Sequence, residues 1–158
     1  MAKLMNIDIV TPEKRIFEGK IKELTAPGTD GEFGVLPEHA AFATALEPGV
    51  VTIVKENGEK DMLAVSGGYI EVTREKIVLL VESAERAGEV DLETLKRRKE
   101  EKEKLLKTKD RKDVDYDMIQ VTLAREIARL RANEILGRRI LSINAKHNET
   151  NARPNWLN

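Results

Sequence analysis

Two arginines, Arg125 and Arg129, are the side chains whose type and spacing could do chemistry. They lie four residues apart in a segment with helical periodicity, so both guanidinium groups project from one helix face. Neighbouring guanidiniums repel one another unless an anion or carboxylates lie between them. The spacing alone leaves two interpretations open. One is ordinary ion pairing, for instance with Glu126 or with acids of the preceding helix. The other is a site for an anionic ligand that also involves Glu85 and Asp91.

The sequence offers few residues for metal binding or covalent catalysis. Its two histidines are His39 and His147, and it has no cysteine. A transition-metal site usually has three or four ligands of the His, Cys or carboxylate kind. No Ser-His-Asp or Cys-His set can be assembled, and there is no phosphate-binding loop of the G-x-x-x-x-G-K-[ST] type. We therefore expect no metal, no required cofactor and no catalytic residue.

The charge of the chain is unevenly distributed. Residues 1–87 contain 10 Lys/Arg and 15 Asp/Glu, a net charge of −5, whereas residues 88–141 contain 15 and 12, a net charge of +3. A weak positive charge mixed with many acids does not suggest nucleic acid, but it suits docking on an acidic protein surface. No apolar run approaches the ~20 residues of a membrane span, so we expect no direct membrane insertion.

Short strands punctuated by turns fill residues 1–87. Residues 50–54 form a β-branched run, Asn57-Gly58 follows, and residues 62–65 form the next apolar run. Asn-Gly between two such runs predicts a β-hairpin in which both turn positions have positive φ. Many short strands separated by turns are typical of an antiparallel β-sandwich. We predict such a sandwich head over residues 1–87.

The character of the sequence changes after the predicted head. Residues 88–141 contain no proline, and their apolar spacing predicts two helices folded back as an antiparallel hairpin. Asp91 is expected to cap the first helix, which is highly charged and has four leucines to anchor it. On the second helix a narrow strip of small residues would permit close approach; it consists of Ala124, Ala128 and Ala132. Residues 142–158 are polar and unpatterned, and we expect a disordered tail.

Residues 28–40, GTDGEFGVLPEHA, are rich in glycine and predict a tight loop with special backbone angles. With TPEKRIFEG upstream and VSGGYIEV downstream, this segment resembles the G-x-x-G-x-x-P-x-H segment of epsilon subunits of bacterial F-type ATP synthases. The matching positions are Gly31, Gly34, Pro37 and His39. The resemblance covers about residues 3–141. It implies a central-stalk subunit of a proton-transporting ATP synthase, whose head couples gamma to the c ring and whose mobile arm inhibits ATP hydrolysis.

The resemblance also implies roles for individual residues. Contacts with the c ring and gamma are implied for Gly31, Glu32, Gly34 and His39. Some bacterial epsilon subunits bind ATP on the folded hairpin, using an A-E-R segment, an [IL]-D-x-x-R-A motif and two arginines of the last helix. The matching residues here are Glu85, Asp91, Arg125 and Arg129. The arginine of the motif is replaced by Thr94, which leaves open whether ATP is a regulatory ligand.

Our leading prediction is therefore a non-catalytic rotor subunit, peripheral at the cytoplasmic face of the bacterial cell membrane. The basic arm would contact acidic segments of the α/β catalytic hexamer. Two alternatives remain: an ATP-binding regulatory sensor, and a generic β-sandwich interaction module with a dimerising arm. The coupling ion, H⁺ or Na⁺, is a property of the c subunit and is not encoded in this chain.

Overall fold

The computed structural model describes residues 3–89 and 91–151, with side chains as far as residue 137. Within these residues the chain forms nine β-strands followed by two α-helices. The strands are β1 (Met5–Val10), β2 (Arg15–Gly28), β3 (Gly31–Val35), β4 (Phe42–Leu46), β5 (Gly49–Lys55), β6 (Lys60–Val65), β7 (Gly68–Val72), β8 (Lys76–Val81) and β9 (Ala84–Arg86). The helices are α1 (Leu92–Thr108) and α2 (Tyr116–Asn151).

The strands form one sheet that closes on itself through β2. Neighbouring strands follow the order β1-β8-β7-β4-β2-β5-β6-β9, and β3 pairs with β2. The first half of β2 also pairs with β1, and its second half pairs with β5. The predicted β-sandwich followed by two helices is confirmed. One described pair, β1 with β8, is parallel, whereas the others are antiparallel. These strands are distant in sequence, so no hairpin fixes their relative direction.

A core of sixteen buried apolar side chains lies between the layers of the sandwich. Strand β8 illustrates how it is built, because Ile77, Leu79 and Val81 are buried and alternate with more exposed residues. The phenylalanines Phe17 and Phe33 are partly buried and pack at the margin of the core. Aliphatic side chains therefore fill the head, as the low aromatic content of the sequence requires.

The hairpin predicted at Asn57-Gly58 is present, but its turn differs from the one expected. Gly58 has a φ of 86°, whereas Asn57 does not have a positive φ. The Gly58 N–H donates to the Lys55 carbonyl at 2.9 Å, and the Lys55 N–H donates to the Glu59 carbonyl at 2.8 Å. A type I turn followed by a left-handed glycine closes this three-residue loop. The prediction of two positive φ angles was wrong because the longer loop needs just one.

Residues 28–40 are not one continuous loop, as their glycines suggested. Strand β3 occupies their middle and pairs with the end of β2. Phe33 and Val35 face inward while Glu32 and Gly34 are exposed, which is the alternation of a half-buried strand. Gly31 has a φ of 119° at the turn, and a Cβ there would meet nothing within 4 Å. The backbone angle, not the available space, requires glycine at this position.

The two helices fold back on each other as predicted. Lys109 pairs with Asp115 near their connection, and Lys102 pairs with Glu126 further along, which is the contact pattern of an antiparallel hairpin. Leu95 is the buried residue of α1, at 1% exposure. Helix α1 therefore has a small apolar anchor, in agreement with its charged sequence.

Helix α2 lies against the outer surface of the sheet. Ala128 and Ala132 are buried against Ala64 of β6, with Val50 and Ala87 at the edge of the contact. Because all three central side chains are single methyl groups, the helix axis can come close to the strand. The strip of alanines identified in the sequence thus brings the helix onto the head.

Helix α2 also extends beyond the end predicted for the arm. The arm was expected to end at residue 141, but the helix continues to Asn151. Residues 142–151 contain neither proline nor glycine, the residues that most strongly end a helix. The first part of the predicted disordered tail is therefore helical, and residues 152–158 lie outside the described residues.

Candidate functional site

Both arginines of α2 are paired with carboxylates of the head. A terminal nitrogen of Arg125 lies 2.8 Å from a carboxylate oxygen of Glu82. Nε of Arg129 lies 2.8 Å from Oε2 of Glu85. Such charge-assisted contacts are stronger than neutral hydrogen bonds, although their exposed part is weakened by solvent. Carboxylates of the same chain therefore relieve the repulsion expected between the two guanidinium groups.

A buried carboxylate, Glu126, joins the two helices. Its side chain is 3% exposed. Its Oε1 atom lies 3.1 Å from Nζ of Lys102 on α1 and 2.8 Å from the guanidinium of Arg129 on α2. Since Arg129 also binds Glu85, ion pairs run without interruption from β9 through α2 to α1. A buried charge is costly unless it is paired, so Glu126 favours the state in which both cations are near.

Asp91 is the N-cap of α1, as predicted. Its Oδ1 atom accepts a hydrogen bond from the Thr94 backbone N–H at 2.9 Å, and Oδ2 accepts one from the Thr94 hydroxyl at 2.6 Å. These hydrogen bonds hold the pKa of Asp91 below its usual value, because they stabilise the charged carboxylate. Thr94 stands where the resemblance has an arginine, and here it completes the helix cap.

One amide side chain and one glycine fix the junction of head and arm. The Asn133 side-chain oxygen accepts a hydrogen bond from the Gly88 N–H at 2.8 Å, and its amide nitrogen donates to the Arg129 carbonyl at 2.8 Å. Gly88 has a φ of 93°, and a Cβ there would lie 3.2 Å from a methyl group of Leu136. Both the backbone angle and the available space therefore favour glycine at the start of the arm.

Gly31, Glu32 and Gly34 lie on β3 and its turn, beside the arm. The Glu32 carboxylate is 3.9 Å from the guanidinium of Arg131 on α2, with both side chains largely exposed. A cavity of about 220 Å³ between this turn and α2 is lined by Gly31, Glu32 and Arg131. Glu32 thus faces the helix in this position of the arm.

His39 lies in a different groove from Glu32. Its Nδ1 atom is 2.8 Å from the Ala40 carbonyl oxygen, and its ring centroid is 5.0 Å from that of Phe42. A cavity of about 750 Å³ beside it is lined by charged residues of both signs, which include Lys3, Glu38 and Arg74. The structure therefore does not bring His39 into one pocket with the glycines and glutamate of β3.

The four residues considered for an anion site are also divided. Glu85 and Arg129 are in direct contact, and Arg125 lies one helical turn away, bound to Glu82. Asp91 is bound to Thr94 at the start of α1. The sequence interpretation that paired the arginines with Glu126 is confirmed for Arg129.

Two important carboxylates were missed or undervalued in the sequence. Glu82 was not singled out, although it stands three residues before Glu85, a spacing that complements arginines four residues apart. Glu126 was considered as an exposed partner, but it is buried at the junction of the helices. Its burial arises from the position of Lys102 on the other helix, which no local pattern reveals.

The head matches the family described as the beta-sandwich domain of the ATP synthase delta/epsilon chain over residues 4–87. The ATP synthase epsilon chain of Desulforamulus reducens is 42% identical over 134 residues, which cover 85% of this chain and 100% of the relative. The epsilon chain of Geobacter sulfurreducens is 42% identical over 130 residues, which cover 82% of this chain and 94% of the relative. A chain in the Euglena gracilis mitochondrial ATP synthase, in a structure of its OSCP, F1 and c-ring, shares the fold with a TM-score of 0.71. That match is 24% identical and covers 84% of this chain and 81% of the other.

The sandwich head therefore belongs to the delta/epsilon class of ATP synthase subunits. The relatives that match both the head and the arm are ATP synthase epsilon chains, which are one of the two kinds of subunit in this class. The chain belongs to the ATP synthase epsilon chain family. The resemblance found in the glycine-rich segment is thereby confirmed.

Proposed function

We propose that this epsilon chain is a non-catalytic rotor subunit with two roles. Its head couples gamma to the c ring during proton-driven ATP synthesis, and its arm restrains ATP hydrolysis. The unequal anchoring of head and arm carries the second role. The head has sixteen buried core side chains, whereas α1 buries Leu95 and the apolar residues that α2 buries are two alanines and Leu130. An element held this weakly can leave its domain without unfolding it.

The charges of the arm support a second position for it, against the α/β catalytic hexamer. In the folded arm Lys102, Arg125 and Arg129 are bound to carboxylates of the same chain. Release of α2 from the head separates Arg125 from Glu82 and Arg129 from Glu85, so these two guanidiniums become available to acidic segments of the catalytic subunits. The net charge of +3 over residues 88–141 favours the same encounter.

For the coupling role we propose that the head contacts the c ring and gamma through Gly31, Glu32, Gly34 and His39. The separation of Glu32 and His39 into different grooves supports two separate contacts of the head rather than one. The subunit would then be held at the cytoplasmic face of the bacterial cell membrane by its partners. No helix in the described part of the chain is long and apolar enough to cross a membrane.

Locking the arm tests the restraint on hydrolysis. Ala64 and Ala128 belong to the contact between β6 and α2, and the chain has no cysteine. Ala64→Cys with Ala128→Cys in one chain places two thiols in this contact, and a disulfide between them would hold the arm on the head. In the assembled enzyme we expect oxidation to abolish epsilon-dependent inhibition of ATP hydrolysis and reductant to restore it. The single-cysteine variants are the controls.

Equal hydrolysis rates in the oxidised and reduced enzyme, with the crosslink complete on a gel, would contradict the restraint. Deletion of residues 88–158 gives an independent reading of the same role. It should raise hydrolysis in the assembled enzyme, because the inhibiting segment is then absent.

One observation favours a second candidate function, the binding of ATP as a regulatory ligand. Nε of Arg125 is a buried donor that has no hydrogen-bond partner among the described residues. The Nε–H group of Arg125 could therefore donate a hydrogen bond to a phosphate oxygen. Calorimetric titration of the full chain with ATP tests this function, with Arg125→Ala and Arg129→Ala as variants. Absence of heat and of any thermal shift at millimolar ATP would reject it.

A further inference from the structure

Asn133 lies inside α2, although asparagine is a residue type that does not favour a helix. Its helix propensity is similar to that of threonine and well below that of alanine, because its side chain competes for backbone groups. Here the side chain binds a backbone group outside the helix, since its oxygen accepts a hydrogen bond from the Gly88 N–H at 2.8 Å. An unfavourable helix residue is therefore matched to a contact between the arm and its junction with the head.

Gly88 is the point where the backbone leaves the sheet. The Ala87 N–H donates to the Met62 carbonyl at 2.9 Å and so extends the pairing of β6 with β9. The next N–H along the chain, that of Gly88, is bound by α2. Because Ala87 is tied to β6, α2 cannot move away from the head unless the hydrogen bond between Gly88 and Asn133 breaks.

The Asn133 side chain also contacts the helix backbone one turn earlier. Its amide nitrogen donates to the Arg129 carbonyl at 2.8 Å, and Nε of Arg129 lies 2.8 Å from the carboxylate of Glu85. The head thus offers Glu85 and Gly88, three residues apart, to Arg129 and Asn133, four residues apart. The first contact is an ion pair, which salt weakens, whereas the second joins uncharged groups. Asn133 therefore holds the arm in a way that does not depend on ionic strength.

We propose that Asn133 is a positioning residue for the arm. Its hydrogen bond from the Gly88 N–H, which we call the hinge latch, sets the fraction of chains in which α2 lies on the head. The proposal rests on the proposed function, in which the arm alternates between a folded and a released position. The hinge latch forms in the folded position alone, so its loss favours the released one. Because water replaces the lost partner, the shift in this equilibrium is about five-fold.

Thiol labelling of the surface that α2 covers measures the hinge latch. Ala64 is 6% exposed beneath α2 and the chain has no cysteine, so Ala64→Cys gives one thiol that reacts when the arm leaves. In the full-length Ala64→Cys chain, Asn133→Ala should raise the labelling rate about five-fold. Helix content should stay the same or rise, because alanine favours the helix. An unchanged labelling rate would overturn the proposal.

Thr122→Ala is the matched control in the same Ala64→Cys chain. The Thr122 hydroxyl donates to the Ile119 carbonyl at 2.8 Å, a side-chain hydrogen bond that stays within α2. Since threonine and asparagine have similar helix propensities, the two alanine variants change the helix alike. Thr122→Ala should leave the labelling rate unchanged or lower it. Equal acceleration by both variants would mean that the helix, and not the hinge latch, controls labelling.

Asn133→Asp separates the two hydrogen bonds of the side chain. A carboxylate can still accept from the Gly88 N–H, but it cannot donate to the Arg129 carbonyl. This variant should therefore label more slowly than Asn133→Ala. Equal rates for the two variants would show that the contact with Gly88 does not hold the arm.

Salt gives an independent test of the uncharged contact. With an uncharged thiol reagent, labelling of the parent should become faster as ionic strength rises, because the pair of Arg129 with Glu85 is screened. The ratio of the rates of Asn133→Ala and parent should stay constant, whereas the ratio for Glu85→Gln should fall towards one. If the ratio for Asn133→Ala also falls to one, the hinge latch is wrong.

ATP hydrolysis by the assembled enzyme distinguishes the hinge latch from the proposed function. Asn133→Ala should strengthen epsilon-dependent inhibition, because more arms are released. If labelling is faster but hydrolysis is unchanged, the hinge latch stands and the restraint on hydrolysis fails. If the thermal midpoint of the head falls while labelling becomes faster, Asn133 stabilises the head itself and the proposal is overturned.

Discussion

In the head, apolar side chains from nine strands meet in one core, and sixteen of them are buried. In the arm, buried contacts are made by alanines, by Leu95 and Leu130, and by the charged Glu126. Apolar burial has no comparable substitute in water, so it favours one packed state strongly. Ion pairs exchange readily for hydration, and exposed ones contribute about 0–1 kcal/mol each. The difference suits a rigid head that carries a releasable arm.

The largest expected effect comes from the core of the head. Ile53→Ala removes a fully buried side chain from β5. It should lower the free energy of unfolding by about 2–5 kcal/mol, because a cavity remains. Urea unfolding followed by circular dichroism measures this loss. Leu105→Ala on α1, where the side chain is 48% exposed, is the control and should change little. Equal losses for both variants would remove the contrast between head and arm.

The difference between local and distant contacts explains how much of the fold the sequence predicts. The hairpin of β5 and β6 and the cap at Asp91 depend on neighbouring residues, and both were predicted, although the type of the hairpin turn was not. The middle of residues 28–40 forms β3 because its partner, the end of β2, lies alongside it. The parallel pairing of β1 with β8 likewise joins distant segments. Glycine spacing and turn propensity carry no information about such partners.

For the candidate site, the sequence identified cations more readily than their partners. The spacing of Arg125 and Arg129 was visible because both lie on one helix. Glu82 reaches Arg125 through the docking of α2 on the head, which is a tertiary contact. The burial of Glu126 depends in the same way on both helices. Local patterns therefore locate the charged groups, and packing decides which of them meet.

Ala132→Glu should separate the arm from the head. Ala132 is fully buried in the contact with β6, and burying an unpaired carboxylate there costs several kcal/mol. We expect faster hydrogen exchange of the α2 amides with little change in the thermal midpoint of the head. Met118→Glu, on the same helix at an exposed site, is the control. A head that unfolds together with the arm would show that the two form one cooperative unit.

Glu126→Gln should weaken the hairpin by a smaller amount. Lys102 and Arg129 would lose the carboxylate they share, although the amide oxygen can still accept one hydrogen bond. The expected cost is about 1–3 kcal/mol for the docked arm, measured by hydrogen exchange. Glu103→Gln removes the partner of Lys99 in an exposed pair and should cost less than about 0.5 kcal/mol. Similar costs at both positions would mean that burial does not strengthen the Glu126 pairs.

The last effects are those of pH, and they concern two carboxylates whose pKa values are lowered. In the head, Asp8 lies 2.5 Å from Nζ of Lys76 and 3.3 Å from Nε of Arg15. The hydrogen bond from Lys76, followed by the charge of Arg15, holds the pKa of Asp8 below its usual value. In the arm, the hydrogen bonds from Thr94 do the same for Asp91. Both groups are therefore ionised in the folded chain at pH values where the unfolded chain begins to bind protons.

Each carboxylate thus contributes stability that is complete above the unfolded pKa of about 4 and is lost as the pH falls through the lower folded pKa. Asp91→Asn should keep the helix cap, because asparagine is a good N-cap, while it removes the acid dependence of α1 helicity. Asp8→Asn should instead destabilise the head at neutral pH, because Lys76 and Arg15 lose their shared anion. Thermal midpoints and helix content measured from pH 7 to acid separate the two effects. A head whose acid sensitivity survives Asp8→Asn would place its controlling carboxylate elsewhere.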